Sequence, residues 1–306
     1  MNPYLFVVGC PRSGTTLLQR MLDSHPDLAV TNDTHFIPRA LAGRRVTADL
    51  PLTPELVERV VTYHRFYRLE VDQSTARSLA SECSTYAEFV TALYDRVASA
   101  RGKPLAGEKT PDYVRHLPLL HNLFPDARVV HIIRDGRDVA LSTRDWATPT
   151  KGPGRYALWR KSPIAVCALW WRWQVTAGQN ARSELSDRIR EIHYEELVRQ
   201  PETALQNLAA FLELPDSDRM RRFYEGKTRH DPGLSAKQAW LPATTGIRDW
   251  RTELQPDDLQ LFELLAGDAL AEFGYECASP SPRSARLEAL AEQYRDDWAR
   301  EKRPTG

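Results

Sequence analysis

The sequence is poor in cysteine and has no excess of charge of either sign. Its four cysteines are spread along 306 residues without a CxxC pair, which argues against a disulfide framework and for reduced thiols. Lys and Arg together number 41, and so do Asp and Glu, so the chain has no net field that would attract a polyanion. Nucleic acid is therefore disfavoured as a partner, and any anion site must be local.

The sequence also lacks a long hydrophobic run. No segment approaches the roughly 18 consecutive apolar residues of a membrane helix. No basic leader precedes the first apolar run, which begins within three residues of the N-terminus. Together with the reduced cysteines, these absences lead us to expect a cytoplasmic protein without integral membrane contact.

Short apolar runs alternate with helical patterns along the chain. Residues 4–8, 128–133 and 189–193 are predicted as buried strands, and residues 15–24 have the apolar spacing of a helix. Two mainly helical segments, at about residues 52–100 and 157–185, interrupt this order. The alternation predicts a three-layer α/β fold, in which a mainly parallel central sheet is flanked by helices, with helical insertions that cover the substrate.

The composition changes near the C-terminus. From residue 279 the chain is rich in Ser, Pro and charge, and beyond that point apolar residues recur at helical spacing. We therefore predict one domain over residues 1–278, followed over residues 279–306 by a linker and an amphipathic helix. This helix either packs on its own domain or forms a homodimer contact.

The segment "GCPRSGTT", residues 9–16, lies between the first predicted strand and the first predicted helix. Its two glycines have the spacing of a nucleotide-phosphate loop, in which backbone N–H groups and a helix N-terminus bind anions. The position that holds Lys in ATP and GTP enzymes is Thr15, whereas a cation stands three residues earlier, at Arg12. A sulfuryl group carries less charge than a phosphoryl group and does not need magnesium, so this loop favours a phosphosulfate.

This loop resembles the 5′-phosphosulfate loop of the sulfotransferases that use 3′-phosphoadenosine 5′-phosphosulfate (PAPS), in particular the tyrosylprotein and heparan sulfate types. The resemblance implies a P-loop-like fold and an enzyme that transfers the sulfuryl group of PAPS to an acceptor hydroxyl. The product PAP is released, and no metal is required. The resemblance assigns the phosphosulfate to five consecutive residues, Arg12, Ser13, Gly14, Thr15 and Thr16.

A second motif, "VVHIIRDGRDVALS", begins in the predicted strand at residues 128–133. It resembles the 3′-phosphate motif of the same family, which implies that Arg134 and Ser142 bind that phosphate. A guanidinium suits this task because it offers a planar fork of donors to a phosphomonoester. Weaker matches give Tyr194, in "EIHYEELVRQP", and Arg248, in "TTGIRDWR", as nucleotide contacts, although ordinary structural roles explain both residues equally well.

Transfer to a hydroxyl needs a base for the acceptor proton and a cation for the charge that develops on the bridging oxygen. The segment "NDTHFIP" resembles the region in which related enzymes carry a catalytic Glu, and it places the shorter Asp33 there, with His35 as the alternative base. Both residues could instead have structural roles, in which Asp33 caps a helix and His35 packs beneath the site. The segment "GEKTPDY" resembles the element whose Lys contacts the bridging oxygen, so Lys109 and Arg12 are predicted to stabilise the leaving group.

Two other functions are compatible with the sequence. A small-molecule or nucleotide kinase with a degenerate phosphate loop would need magnesium and a replacement for the missing Lys, and it would leave Arg134 and Ser142 without a task. A non-catalytic protein that binds PAPS or PAP would explain Asp in place of Glu at position 33. No motif names the acceptor, for which we expect a hydroxyl on a small molecule, a sugar or a peptide tyrosine.

Overall fold

The computed structural model of the chain describes residues 2–44, 46–225, 241–242, 248–278 and 284–302. The chain divides into two compact units. The first unit contains Met1–Gly9, Gly14–Ile132 and Asn180–Thr245, and the second contains Cys10–Ser13, Ile133–Gln179 and Gly246–Gly306. The predicted linker at residues 279–283 and residues 244–247 of the "TTGIRDWR" motif lie outside the described residues.

The described residues form a five-stranded sheet. Its strands are β1 (Leu5–Gly9), β2 (Leu28–Asn32), β3 (Leu105–Lys109), β4 (Arg128–Ile133) and β5 (Ile189–His193), in the order β2-β3-β1-β4-β5. The strand β1 pairs in parallel with β3 and β4, and β2 pairs in parallel with β3. Parallel neighbours end at the same edge of a sheet, so residues that follow these strands are brought close together.

The helices begin at recognisable sequence signals. In chain order they are α1 (Thr15–Asp23), α2 (Phe36–Ala40), α3 (Pro54–Val61), α4 (Gln73–Ala80), α5 (Tyr86–Ala100), α6 (Leu117–Leu123), α7 (Gly136–Trp146), α8 (Pro163–Leu185), α9 (Tyr194–Arg199), α10 (Pro201–Phe211), α11 (Asp218–Arg221), α12 (Trp250–Glu253), α13 (Pro256–Glu272) and α14 (Ala285–Lys302). Thr85 and Glu88 form a capping box at α5, and Asp135 caps α7 by accepting the Arg137 N–H at 2.9 Å. None of the described helices is long and apolar enough to cross a bilayer.

Helices cover both faces of the sheet in the first unit. The side chains of β1 alternate: Phe6 and Val8 join a buried cluster with α2 to α6, whereas Leu5 and Val7 join a second cluster with α1 and α9 to α11. A sheet buried on both faces needs nearly continuous apolar strands, which explains the sequence of β1. The prediction of a three-layer α/β fold with a mainly parallel sheet is confirmed.

The second unit has its own hydrophobic cluster, built from α7, α8, α13 and α14. The N-terminus of α7 packs closely, because a Cβ on Gly136 would lie 2.5 Å from Trp171 and 2.8 Å from Phe262. The helix α14 buries Ala291 and Trp298 in the same cluster. The C-terminal helix therefore packs on its own chain, which is one of the two alternatives that its amphipathic pattern left open.

Candidate functional site

The predicted site residues of the second unit begin with Arg12, which has a left-handed backbone with φ of 79°. Its Nε donates a hydrogen bond to Ser142 Oγ at 3.0 Å, and its guanidinium carbon lies 5.9 Å from the centre of the Trp146 ring. Ser142 and Trp146 both belong to α7. The structure therefore joins one residue of the phosphate-loop motif directly to one residue of the predicted 3′-phosphate motif.

Two further predicted arginines lie within electrostatic reach of Arg12. Burial, followed by the positive charges of Arg134 and Arg248, lowers the pKa of Arg12 below its ordinary value, while Asp145 acts in the opposite direction. The Arg134 side chain is only 8% exposed and its Nη2 lies 3.4 Å from Asp138 Oδ2, and Arg248 is paired with Asp145. Guanidinium groups that repel one another in a partly buried place fit a polyanionic ligand, because its charge would offset the repulsion.

Ser13 is fully buried in the same loop. Its N–H donates to the carbonyl oxygen of Cys10 at 3.1 Å, and Cys10 is itself buried, as a small residue that fills a tight loop. The Ser13 hydroxyl has no hydrogen-bond partner within the described residues. A buried hydroxyl in that state fits a ligand oxygen, which agrees with the predicted contact of Ser13 with the phosphosulfate.

In the first unit, Gly14 and Tyr194 are packed against each other. Gly14 has φ of 90° and precedes the first turn of α1, which starts with Thr15 and Thr16. A Cβ at Gly14 would lie 2.4 Å from Cδ2 of the buried Tyr194 ring, so only glycine fits there. The N–H groups at the start of α1 have no carbonyl partner within the helix, which suits them to an anion.

Lys109, Asp33 and Thr16 meet at the carboxyl ends of β2 and β3. The Lys109 ammonium lies 3.0 Å from Asp33 Oδ1 and 3.4 Å from Thr16 Oγ1. The Asp33 N–H donates to the carbonyl oxygen of Lys109 at 2.7 Å, so the pairing of β2 with β3 holds the two residues together. The Lys109 side chain is 1% exposed and that of Asp33 is 21% exposed. The predicted base and the predicted cation thus form one largely buried ion pair.

The charges around Asp33 and His35 decide their protonation. Burial by itself favours a neutral Asp33, but the charge and hydrogen bond of Lys109, with Arg65 behind them, hold the pKa of Asp33 below its ordinary value. Burial and the charge of Arg65 lower the pKa of His35 to about 4, although Asp33 and Asp112 oppose this shift. At neutral pH Asp33 is therefore ionised and His35 is neutral, so each is in the form that accepts a proton.

The turn that carries both candidate bases has an unusual backbone. Asp33 and His35 have φ of 56° and 60°, in the left-handed region that non-glycine residues rarely adopt. His35 precedes α2, and its ring lies edge-on to Tyr113 with 6.4 Å between ring centres. Thr34, between the two, is buried and donates its N–H to Glu108 Oε1 at 3.0 Å. This contact holds the turn in place.

Glu108 is a buried carboxylate beside the candidate site, to which the sequence motifs assign no role. It lies in β3 next to Lys109, is fully buried, and accepts hydrogen bonds from the Tyr94 hydroxyl at 2.8 Å and from the hydroxyls of Thr31 and Thr110. A carboxylate inside a strand is rarely buried without partners, so its position in "LAGEK" is a signal that could have found it. Glu108 joins β2, β3 and α5 beneath the turn that contains Thr34.

Two arginines of the segment 52–100 reach the same turn. Arg65 Nη1 donates to the carbonyl oxygen of Asp33 at 3.4 Å, and Arg68 Nη1 donates to that of Asn32 at 3.2 Å. They add positive charge beside the candidate bases. The sequence gives no signal for this role, because arginine on a surface helix is ordinary.

Comparison with known proteins shows the family of this chain. The sulfotransferase family, represented by its sequence profile, matches residues 3–218. This chain belongs to the sulfotransferase family. It is an enzyme that transfers a sulfuryl group from PAPS, as the motifs around Arg12 and Arg134 predict, and the kinase and the non-catalytic binding protein are not favoured.

Individual known proteins resemble the chain over most of its length. Protein-tyrosine sulfotransferase 1 of Danio rerio is 25% identical over 295 residues, which are 94% of this chain and 76% of the relative. Nodulation protein NoeE of Sinorhizobium fredii is 27% identical over 316 residues, which are 95% of this chain and 71% of the relative. The sulfotransferase domain of the Synechococcus PCC 7002 olefin synthase superimposes with a TM-score of 0.57 at 21% identity and covers 96% of this chain and 94% of that domain. This likeness confirms the P-loop-like fold.

Each unit by itself has residues that fit an anionic group of PAPS. The second unit offers the arginines around Arg12 and the buried hydroxyl of Ser13. The first unit offers the N-terminus of α1 after Gly14 and the ammonium of Lys109 beside it. In the part of the chain that the structure describes, no group of three or more His, Cys, Asp or Glu side chains could hold a metal ion.

Proposed function

We propose that this sulfotransferase uses Asp33 as the base for its acceptor hydroxyl and Lys109 as the main cation for the leaving oxygen. The observation that carries the proposal is the contact of the Lys109 ammonium with both Asp33, at 3.0 Å, and Thr16, at 3.4 Å. An ammonium has three N–H groups, so Lys109 can keep both contacts and direct its third N–H to the bridging oxygen. When bound, PAPS supplies the sulfuryl group.

The ion pair couples the two roles. As Asp33 accepts the acceptor proton, its negative charge is lost, and the positive charge of Lys109 is no longer compensated. The uncompensated charge then stabilises the negative charge that develops on the leaving oxygen, in a site where burial strengthens the interaction. The close contact of Asp33 with the Lys109 ammonium favours Asp33 as the base, and His35 stays the alternative.

We further propose that the predicted binding residues contact different groups of the nucleotide. The loop Arg12–Thr16 holds the phosphosulfate, and Arg134 and Ser142 hold the 3′-phosphate. Tyr194 and Arg248 are proposed as additional contacts. The mutual repulsion of the three arginines supports this assignment, since bound anionic groups would offset it. Turnover is proposed to need no metal ion.

The acceptor is proposed to be a phenolic hydroxyl of a tyrosine in a peptide. The similarity to a protein-tyrosine sulfotransferase over 94% of this chain supports this class. A hydroxyl of a sugar or of another small molecule is the alternative. The cytoplasmic location and the homodimer stay predictions.

The cofactor assignment is tested by calorimetric titration with PAP, with ATP plus magnesium as the competitor. We expect PAP to bind in the presence of EDTA, and Arg134→Ala to weaken binding by about tenfold or more, the effect of losing a charged hydrogen-bond donor. Arg144→Ala is the matched control, because Arg144 lies on α7, the helix that follows Arg134, but pairs with Asp258 at 3.3 Å. Preference for ATP with magnesium would overturn the proposal.

The base assignment is tested with radiolabelled PAPS and a panel of tyrosine peptides, sugars and small phenols. For any acceptor that is sulfated, Asp33→Asn is expected to lower kcat by about 10²- to 10⁴-fold, the usual contribution of a general base. His35→Asn should retain most of the activity. Loss of turnover in His35→Asn alone would transfer the role of base to His35.

A further inference from the structure

Asp138 joins two parts of the second unit that the proposed function assigns to the nucleotide. Its Oδ2 lies 3.4 Å from Arg134 Nη2, and its Oδ1 accepts the backbone N–H of Trp250 at 3.0 Å. Trp250 is the first residue of α12 and follows Arg248 by two positions. The Asp138 carboxylate, which is 15% exposed, therefore contacts both Arg134, the residue proposed to bind the 3′-phosphate, and the segment that carries Arg248.

The Trp250 end of this connection is firmly held. The guanidinium carbon of Arg137 lies 3.7 Å from the centre of the Trp250 ring. Arg137 in turn pairs with Asp135 at 2.8 Å and with Glu263 at 2.7 Å, and it is almost fully buried. Trp250 is thus held by these neighbours as well as by Asp138.

The surroundings of Asp138 favour a proton in mildly acidic solution. Burial raises the pKa of Asp138 to about 6, with a smaller contribution from Asp135, against the effects of Arg134 and the Trp250 N–H. Other charged groups on α7 and on the elements packed against it form pairs, among them Glu253 with Arg248, Glu263 with Arg137, Asp258 with Arg144, Arg251 with Asp249, and Arg172 with Asp268. Among the described residues, Arg134 is the cation whose charge lowers the pKa of Asp138.

We propose that Asp138 is a positioning residue, which holds Arg134 in place before the nucleotide binds and takes up a proton from solvent when the 3′-phosphate binds Arg134. This inference rests on the proposed role of Arg134. A phosphate at Arg134 competes for the guanidinium and adds negative charge beside the carboxylate, and both effects favour the neutral acid. The neutral acid still accepts the Trp250 N–H, so the segment that carries Arg248 keeps its anchor.

The test is calorimetric titration with PAP between pH 5.5 and 8, in buffers of different ionisation enthalpy, which gives the number of protons taken up. Asp138→Asn keeps an acceptor for Trp250 but does not titrate. Near pH 5.5 it should bind PAP as wild type does. At pH 8 it should bind more tightly, by about tenfold for each unit by which PAP raises the pKa of Asp138. The wild type should take up more protons than the variant near pH 6.5.

Asp258→Asn is the matched control, because it also removes a carboxylate that is paired with an arginine, in this case Arg144, and it should take up protons as wild type does. Asp138→Ala, which loses the acceptor for Trp250, should bind PAP more weakly at every pH. If Asp138→Ala does not fold, Asp138→Asn decides alone. Equal proton uptake in Asp138→Asn and wild type would overturn the inference, as would weaker binding by Asp138→Asn throughout. Failure of the wild type to bind PAP at all would refute the proposed function itself.

Discussion

The Lys109 ammonium and the Asp33 carboxylate lie 3.0 Å apart, and each is attached to one of two adjacent parallel strand ends. The contact joins residues that are 76 positions apart in the sequence. The contact places the group proposed to accept the proton beside the group proposed to stabilise the leaving oxygen, and, against the effect of burial, the ammonium lowers the pKa of Asp33. Removal of Lys109 should therefore raise the pKa of Asp33.

Lys109→Ala should lower kcat by about 10²- to 10³-fold, the loss typical of one transition-state donor. It should also move the acid side of the pH–rate profile upward, because without the ammonium burial raises the pKa of Asp33. Both effects are measured with radiolabelled PAPS over pH 4 to 8. Lys103→Ala is the control, since Lys103 donates to the Leu28 carbonyl oxygen at 3.0 Å, and its profile should match wild type. Full activity of Lys109→Ala would contradict the assignment.

The stability of the fold should fall in mildly acidic solution because of His35. Its pKa is lowered from 6.5 to about 4, so between these values the unfolded chain binds more protons than the folded chain. The free energy of unfolding should decrease as the pH falls from about 6.5 to 4, by about 1–3 kcal/mol from this residue. Above pH 7 the titration of His35 should not change the free energy of unfolding.

Urea denaturation at pH 4.5 and at pH 7.5 measures this change. His35→Asn should reduce the difference between the two pH values, and Asn is chosen because it tolerates a left-handed backbone. His116→Gln is a matched comparison, since burial also lowers the pKa of His116 to about 4. It should reduce the pH difference in the same way while leaving turnover unchanged. An unchanged difference in His35→Asn would show that His35 is not the group that titrates.

Gly14→Ala should destabilise the fold by about 1–3 kcal/mol through strained backbone and overpacking against Tyr194. Gly102→Ala separates the two causes, because Gly102 also has a positive φ, of 63°, but a Cβ there would have nothing within 4 Å. Thermal denaturation should show the larger loss at Gly14. In a Tyr194→Ala background the loss caused by Gly14→Ala should shrink towards that of Gly102→Ala; an undiminished loss would argue against the packing.

Glu108→Gln should cost about 2–4 kcal/mol of stability, because an amide N–H₂ group replaces one carboxylate oxygen that accepts hydrogen bonds from buried donors. It should also lower kcat, since the Thr34 N–H that Glu108 accepts lies in the turn between Asp33 and His35. Tyr94→Phe removes one donor but keeps the carboxylate, so it should have a smaller effect on both quantities. Denaturant titration and turnover measure them, and a fully active, fully stable Glu108→Gln would refute this role.

Local patterns predict much of this fold. The strands β1 and β4 are apolar runs, and the loop from Gly9 to Gly14 follows β1 directly, so strand, loop and helix can be predicted there from neighbouring residues. The strands β2 and β3 are short, with five residues each, and their sequences "LAVTN" and "LAGEK" end in polar residues. These sequences therefore do not indicate that the strands are buried. The strand β3 takes its place in the sheet by pairing with β1, and β2 by pairing with β3, and no local window of sequence contains these partners.

In the candidate site, too, local sequence identifies single residues but not their contacts with distant parts of the chain. Motif resemblance names Asp33, Lys109 and Arg134 one at a time, because each stands at the end of a strand. The partners of these residues come from distant parts of the chain: Arg65 reaches the turn of Asp33 from the segment 52–100, and Asp138 meets Trp250 from α12. Such contacts depend on tertiary packing, so a single sequence without structure does not predict them.

The left-handed backbone of Arg12, Asp33 and His35 has a consequence for laboratory evolution. Glycine adopts this conformation without strain, so Arg12→Gly or His35→Gly would each relieve about 1 kcal/mol of backbone strain and remove a side chain that is proposed to act in the site. A selection for heat resistance alone would therefore favour glycine at these two positions, whereas Asp33→Gly would leave the buried Lys109 ammonium without its carboxylate. Libraries of this enzyme should be screened for turnover before they are screened for survival on heating.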